Sequence, residues 1–238
     1  MYAPPTASSA TASSDVASPD VASPDVASPD VADLDARFGR IDSGTANRSE
    51  LTPLRFLERS ASVFGHRDAI IYGARHWTYA KFADEVQRMA RALRTHIADG
   101  DRVAFLSPNI PEMLIAHYAV PLAGGVLVAL NSRLAGPELV YILNHAEATT
   151  LFFDAEYRHT VATIVDEIVS LETIVEITDA EFGVVPEDVA ASGIPGLRSY
   201  PEYIVDAGGG GDLPWTVDDE DRVIAINYTS GTTGKPKG

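Results

Sequence analysis

Arg102-Val-Ala-Phe-Leu106, the segment from Pro111 to Ala123, and Val126-Leu-Val-Ala-Leu130 decide the fold of this 238-residue chain. The first and last are short, apolar and rich in β-branched or aromatic residues, as buried strands are. Between them, Pro111 opens a helix that runs to about Ala123. A strand, a helix and a strand joined by short connections read as a crossover unit of a parallel sheet. Gly100-Asp101 marks the turn into the first strand.

Upstream, Thr52-Pro53 reads as N-cap and first helical residue before Leu54-Arg-Phe-Leu57. Ala69-Ile-Ile-Tyr72 reads as a short strand. Thr78 caps a longer helix whose Phe82, Val86, Met89, Ala90, Leu93 and Ile97 recur at helical spacing and form core. Downstream, the alternation continues. A helix from Gly136-Pro137 to about His145 precedes the strand Thr150-Leu-Phe-Phe153. An amphipathic stripe follows (Tyr157, Val161, Ile164, Val165, Ile168), then the strand Thr173-Ile-Val-Glu-Ile177. Beyond Thr178, Pro186, Gly193, Pro195 and Gly196 mark loops, a short helix is expected between Tyr200 and Ala207, and Gly208 to Gly211 reads as a connector. The expected class is α/β, with alternating strand–helix units around a largely parallel sheet.

The last strand expected, Val223-Ile-Ala-Ile226, reads as buried and leads into Tyr228-Thr-Ser-Gly-Thr-Thr-Gly-Lys-Pro-Lys-Gly238. Small residues let backbone N–H groups approach a ligand, hydroxyls donate further hydrogen bonds, and lysines neutralise charge. Such a loop suits a polyphosphate. A ligand-free turn is the plain alternative, since turns collect the same residues. The loop does not match the Walker A pattern. Gly231 and Gly234 are too close together, and Pro236 follows Lys235 where a magnesium-binding hydroxyl is needed.

The same residues resemble the phosphate-binding signature of the adenylate-forming (AMP-binding) superfamily, which includes acyl-CoA synthetases, luciferases and peptide-synthetase adenylation domains. That signature varies at the position of Lys235 and keeps Pro-Lys-Gly at Pro236 to Gly238. Trp77-Thr-Tyr-Ala-Lys-Phe82, Gly100-Asp-Arg-Val-Ala104 and Gly124-Gly-Val-Leu-Val-Ala-Leu-Asn131 resemble N-terminal segments of the family in order and spacing, so the likeness covers about Leu51 to Gly238. The resemblance implies an incomplete, N-terminal portion of the adenylate-forming fold. It also implies ligase chemistry, in which ATP activates a carboxylic acid (fatty or related) as acyl-adenylate and coenzyme A accepts the acyl group. Thr229, Ser230, Gly231, Thr232, Thr233, Gly234, Lys235, Lys237 and Gly238 would hold the phosphates, and Lys237 would supply catalytic charge. ATP, Mg²⁺ and CoA are the implied small molecules. The acid pocket, the ribose-binding aspartate and a later catalytic lysine are expected after Gly238, so the chain alone is expected to be inactive. A carrier-protein-loading domain, a non-catalytic nucleotide-binding module and an interaction module stay open as alternatives.

Residues 1–48 form a separate segment of Ala, Ser, Thr, Pro and Asp, in which Asp-Val-Ala-Ser-Pro recurs from Asp15 to Pro29. Valine alone buries too little to offset the entropy of ordering, so disorder is expected there, ahead of a partial AMP-binding domain over 49–238. The net charge of −16 argues against a general nucleic-acid or anionic-membrane surface. With no cysteine there is no disulfide, thiolate zinc site or thiol nucleophile. The N-terminus lacks a signal-peptide pattern and no apolar run is long enough to span a bilayer, so a cytoplasmic location is expected. The histidines are scattered without metal-ligand spacing, Asp218-Asp-Glu-Asp221 reads as a solvated approach to a strand, and no serine lies in a Gly-x-Ser-x-Gly elbow. His117 reads as packed or hydrogen-bonded. Asn131-Ser-Arg133, at a strand end, is either a ligand-facing loop or an ordinary capped one.

Overall fold

The computed structural model describes residues 51–183, 192–205, 210–217, 219–229 and 237–238. The expectation of a disordered tail over 1–48 lies outside the described residues.

Helix α1 (Pro53–Phe64) starts where Thr52-Pro53 predicts, with Pro at its first position and Thr52 extended. The Thr52 side chain makes no cap bond. A hairpin follows, in which β1 (Asp68–Tyr72) pairs antiparallel with β2 (Arg75–Thr78). The second strand was not expected. It is four residues long, and only Trp77 along it is buried, so its alternation is too brief to register as a pattern. Trp77 lies under the Arg75 guanidinium at 4.4 Å and the Lys81 ammonium at 5.1 Å. Thr78 accepts the Lys81 N–H and so caps α2 (Tyr79–Arg94), whose Phe82, Val86, Met89, Ala90 and Leu93 are buried.

The remaining strands form one sheet: β3 (Arg102–Leu106), β4 (Val126–Ala129), β5 (Ala148–Asp154), β6 (Thr173–Ile177), β7 (Leu197–Ser199) and β8 (Ala225–Asn227). Their order is β7-β6-β5-β3-β4-β8, and every pairing is parallel. Helix α3 (Pro111–Ala123) links β3 to β4, and α4 (Gly136–His145) returns across β3 to β5. That reversal sends the helices to opposite faces, because each crossover is right-handed. Val103, Phe105, Phe152 and Val175 pack against α1, α2, α3 and α6 (Tyr200–Val205). Ala104, Leu106, Leu151 and Phe153 pack against α4 and α5 (Arg158–Ile164). Alternation along each strand divides its side chains between the two cores.

Gly124 ends α3 with φ +92°, its N–H reaching Val120 and Pro121 carbonyls, a conformation that L side chains rarely adopt. The stripe from Tyr157 to Ile168 divides into α5 and two flanking 3₁₀ turns. The short helix expected from Tyr200 is present as Tyr200–Val205. One expectation is corrected. The strand read as buried Val223–Ile226 is β8, Ala225–Asn227, and it is not buried. Val223 is 59% exposed, and β8 alternates exposed and half-buried residues. It lies at the edge of the sheet with β4 as its partner, and only Ile226 faces a core.

Candidate polyphosphate site

The loop after β8 is closed at its base. The Thr229 N–H donates to the Lys237 carbonyl at 2.9 Å, and the Lys237 N–H donates to the Thr229 carbonyl at 3.1 Å. This reciprocal antiparallel pair brings Thr229 and Lys237, near the two ends of the motif, together. Of the nine residues expected to bind phosphate, Thr229, Lys237 and Gly238 are described, and all three are exposed. Ser230, Gly231, Thr232, Thr233, Gly234 and Lys235 lie outside the described residues. Gly238 has a local reason to be glycine, since a Cβ there would lie 2.7 Å from Tyr228 Cζ. The first and last residues of the motif are therefore in contact, ring against backbone.

Tyr228 is anchored in turn. Its hydroxyl lies 2.7 Å from His145 Nδ1 at the end of α4, and its ring meets the imidazole edge-on. Burial raises the Tyr228 pKa, with Tyr141 nearby acting in the same direction, so the phenol is held neutral. In the sequence, His145 is one of several scattered histidines. No local pattern links it to a residue so distant in sequence, so only the fold could reveal the pair.

The Asn131-Ser-Arg133 segment lies beside the motif, because β4 pairs with β8 in the register Ala129↔Asn227. Asn131 Oδ1 accepts the Arg133 N–H at 3.0 Å, and the Asn131 carbonyl accepts the Leu134 N–H at 3.1 Å. The capped-loop reading of this segment holds, and its position next to Thr229 follows from the register. His117 is exposed, with Nδ1 2.8 Å from the Met113 carbonyl, which fits the hydrogen-bonded reading.

The approach to β8 is pinned to helix α2. Gln87, 3% exposed, donates from Nε2 to the Leu213 carbonyl at 2.9 Å and accepts the Leu213 N–H at Oε1 at 2.8 Å. Arg91 pairs with Asp212 at 2.9 Å. Farther along, Arg222 reaches Asp99 at 2.8 Å and also donates to the Gly124 carbonyl. In the acidic run, Asp219 accepts the Asp221 N–H and Glu220 accepts the Leu51 N–H, so these two carboxylates are engaged with backbone. Among the described residues, no group of three or more His, Asp or Glu is placed to hold a metal ion.

A second polar cluster was missed in the sequence. It lies at the carboxyl ends of β3, β5 and β6, where the strand order reverses. Asp154 ends β5 with 1% exposure; its Oδ1 accepts the Glu156 N–H, and its Oδ2 has no hydrogen-bond partner among the described residues. Burial raises its pKa, and the Glu156, Asp179 and Glu112 charges push the same way. Burial would also raise Asp179, yet bonds from the Tyr72 hydroxyl (2.6 Å) and the Glu181 and Phe182 amides, with Arg75 nearby, hold it below its usual range. Burial raises the Tyr72 pKa, and its bond to Asp179 adds to the effect.

The AMP-binding enzyme family matches residues 57–238. Among curated proteins, the chain is 36% identical over 193 residues to a 4-hydroxybutyrate–CoA ligase of Metallosphaera sedula, covering 80% of this chain and 34% of that protein. It is 35% identical over 206 residues to a peroxisomal acetate/butyrate–CoA ligase of Arabidopsis thaliana, covering 81% of this chain and 35% of the relative. The chain thus spans about a third of the length of the curated relatives it matches. Among solved structures, it is similar to an anthranilate CoA ligase in complex with anthranoyl-AMP, at 25% identity and TM-score 0.62, over 77% of this chain and 33% of that one. It is also similar to the inhibitor-bound N-terminal domain of FACL13 from Mycobacterium tuberculosis, at 27% identity and TM-score 0.60, over 78% and 42%.

Proposed function

The chain belongs to the AMP-binding enzyme family, and from that premise we propose that it carries the polyphosphate-binding part of an ATP-dependent acid–CoA ligase. The observation that carries the reading is the loop closed by Thr229 and Lys237 at the end of a parallel edge strand. A carboxylate oxygen attacks the α-phosphorus of ATP, the bond to pyrophosphate breaks, and an acyl-adenylate forms. The CoA sulfur then attacks the acyl carbonyl, and AMP leaves. The first step brings two anions together, so fixed donors and positive charge around the departing pyrophosphate lower the barrier. Thr229, Ser230, Thr232, Thr233 and the amides between them supply donors, and Lys237 supplies charge. Mg²⁺, carried by the nucleotide as its counter-ion, would add positive charge at the phosphates. The names of both relatives support CoA as the acceptor and a small carboxylic acid as the substrate. A fatty or related acid and a cytoplasmic location belong to the same proposal.

Isothermal titration of this chain with ATP and with pyrophosphate tests the reading, alongside Lys237→Ala and Lys235→Ala. Loss of a charged donor to an ionised partner costs about 1.5–3 kcal/mol, so Lys237→Ala weakens pyrophosphate roughly tenfold to a hundredfold. Lys235→Ala has a much smaller effect, because the signature that the motif resembles varies at that position and keeps the lysine of Pro-Lys-Gly. Failure of the unaltered chain to bind either ligand, or a larger loss from Lys235→Ala, sinks the assignment. Acid-dependent ATP–pyrophosphate exchange by this chain is expected at background, because positioning of acid and nucleotide supplies much of the rate.

A further inference from the structure

We propose that His145 is a positioning residue for the polyphosphate loop, acting through Tyr228. The proposal rests on the reading of that loop given above. Tyr228 touches both ends of the motif. It precedes Thr229 in the chain, and its ring covers Gly238 so closely that a side chain there would overlap ring carbons. The Thr229–Lys237 pair is thus bracketed by a single tyrosine. The strand that delivers it is weakly held, since β8 is three residues long, half exposed and hydrogen-bonded to β4 along one edge.

What fixes the tyrosine is the end of α4. Its hydroxyl meets His145 Nδ1 at 2.7 Å, and the imidazole lies near-parallel to the Tyr141 ring at 5.6 Å and 27°. Tyr141 and His145 lie one turn apart on a helix whose Leu139, Ile142 and Leu143 are buried, so the imidazole is held by a rigid element. The phenol can swing away from Gly238 only by breaking this bond, and that swing would remove the ring that backs the Thr229–Lys237 pair. The same bond forms with either ring tautomer, so the role is geometric.

Tyr228→Phe, His145→Phe and His145→Asn test this, together with the double Phe variant. His145→Phe keeps a ring against Tyr141 and loses the hydrogen bond, whereas the Asn amide sits near the position of Nδ1 and can restore it. Amide exchange by NMR reads the latch without ligand. In both single Phe variants, Thr229 and Lys237 amides exchange roughly three- to tenfold faster, while β3 and β5 amides keep their rates. Pyrophosphate binding weakens by a similar factor, the double variant is no worse than either single, and His145→Asn recovers most of the loss. Unchanged exchange at Thr229 and Lys237, or additive losses in the double variant, overturns the proposal. Faster exchange with unchanged pyrophosphate affinity shows a latch that positions nothing, and overturns it as well. If the unaltered chain binds no pyrophosphate, the polyphosphate reading fails and takes the positioning role with it, and the exchange rates still report whether the latch exists.

Discussion

At the scale of single residues, Asp154 shows how the sheet buries a carboxyl. It ends β5 between Ser107, which follows β3, and Asp179, which follows β6, at the ends of neighbouring strands. One oxygen is satisfied by the Glu156 amide, and the other has no partner among the described residues. Its folded pKa is raised, so the native state binds this proton more tightly than the unfolded chain does, and the residue withdraws stability as pH rises. The penalty is absent below the unfolded value of about 3.9 and complete above the folded one. Asp154→Asn keeps an acceptor for Glu156 and carries no charge. It should raise the melting temperature at neutral pH, and the gain should vanish as pH falls through the carboxylate range. Melting curves of both proteins from neutral to acid pH test this. A gain that persists at low pH, or none at neutral pH, would show that Asp154 lies in no such penalty. Asp179 works in the opposite sense, because its lowered pKa contributes stability that is lost on acidification. None of this was legible in the sequence. Asp154 ends one unremarkable strand and Asp179 follows another, and only the fold brings them near Glu112 and Tyr72.

At the scale of elements, features set by residues close in sequence are legible in the sequence itself. The long α2 stripe, the Thr78 cap and the proline-started α3 depend on residues close in sequence, and the structure places them as expected. Elements held by distant partners were harder. Strands β2 and β7 are too short to show alternation, and β8 looked buried because its apolar letters gave no sign of its edge position. Residues 210–217, ahead of β8, form no helix or strand and borrow order from α2, with Gln87 pairing both polar groups of the Leu213 backbone as a neighbouring strand would. Gln87→Leu fills similar volume and leaves a backbone N–H and carbonyl without partners, at about 1–3 kcal/mol for each group. The variant should lose roughly 2–6 kcal/mol in urea unfolding. Gln87→Glu should do no better, because its carboxylate would face the Leu213 carbonyl. A Leu variant of unchanged stability would mean that water replaces the amide and that the segment does not depend on the clamp.

At the scale of the whole described domain, the alternation of strands and helices foretold a parallel sheet, but the order β7-β6-β5-β3-β4-β8 was beyond reach, since it depends on which way each crossover turns. The motif at the end of the chain was legible as chemistry, and its position beside Asn131 had to await the pairing of β4 with β8. That order also has a consequence for cooperativity. Strand β3 contributes Val103 and Phe105 to one core and Ala104 and Leu106 to the other, so neither face can open without the strand that holds both. The two tryptophans of the chain report on one face alone: Trp77 is buried in the core beneath α2 and α3, and Trp215 packs against it. Ile142 lies on the other face, 1% exposed among α4 side chains. Ile142→Val removes one methylene and costs about 0.5–1.5 kcal/mol, with a fall in melting temperature of roughly 2–4 °C per kcal/mol in a domain of this size. If the sheet couples the faces, tryptophan fluorescence must register that fall in full, at the same midpoint as far-ultraviolet circular dichroism. If fluorescence keeps its original midpoint while the dichroism shifts, the two cores unfold separately and β3 does not join them energetically.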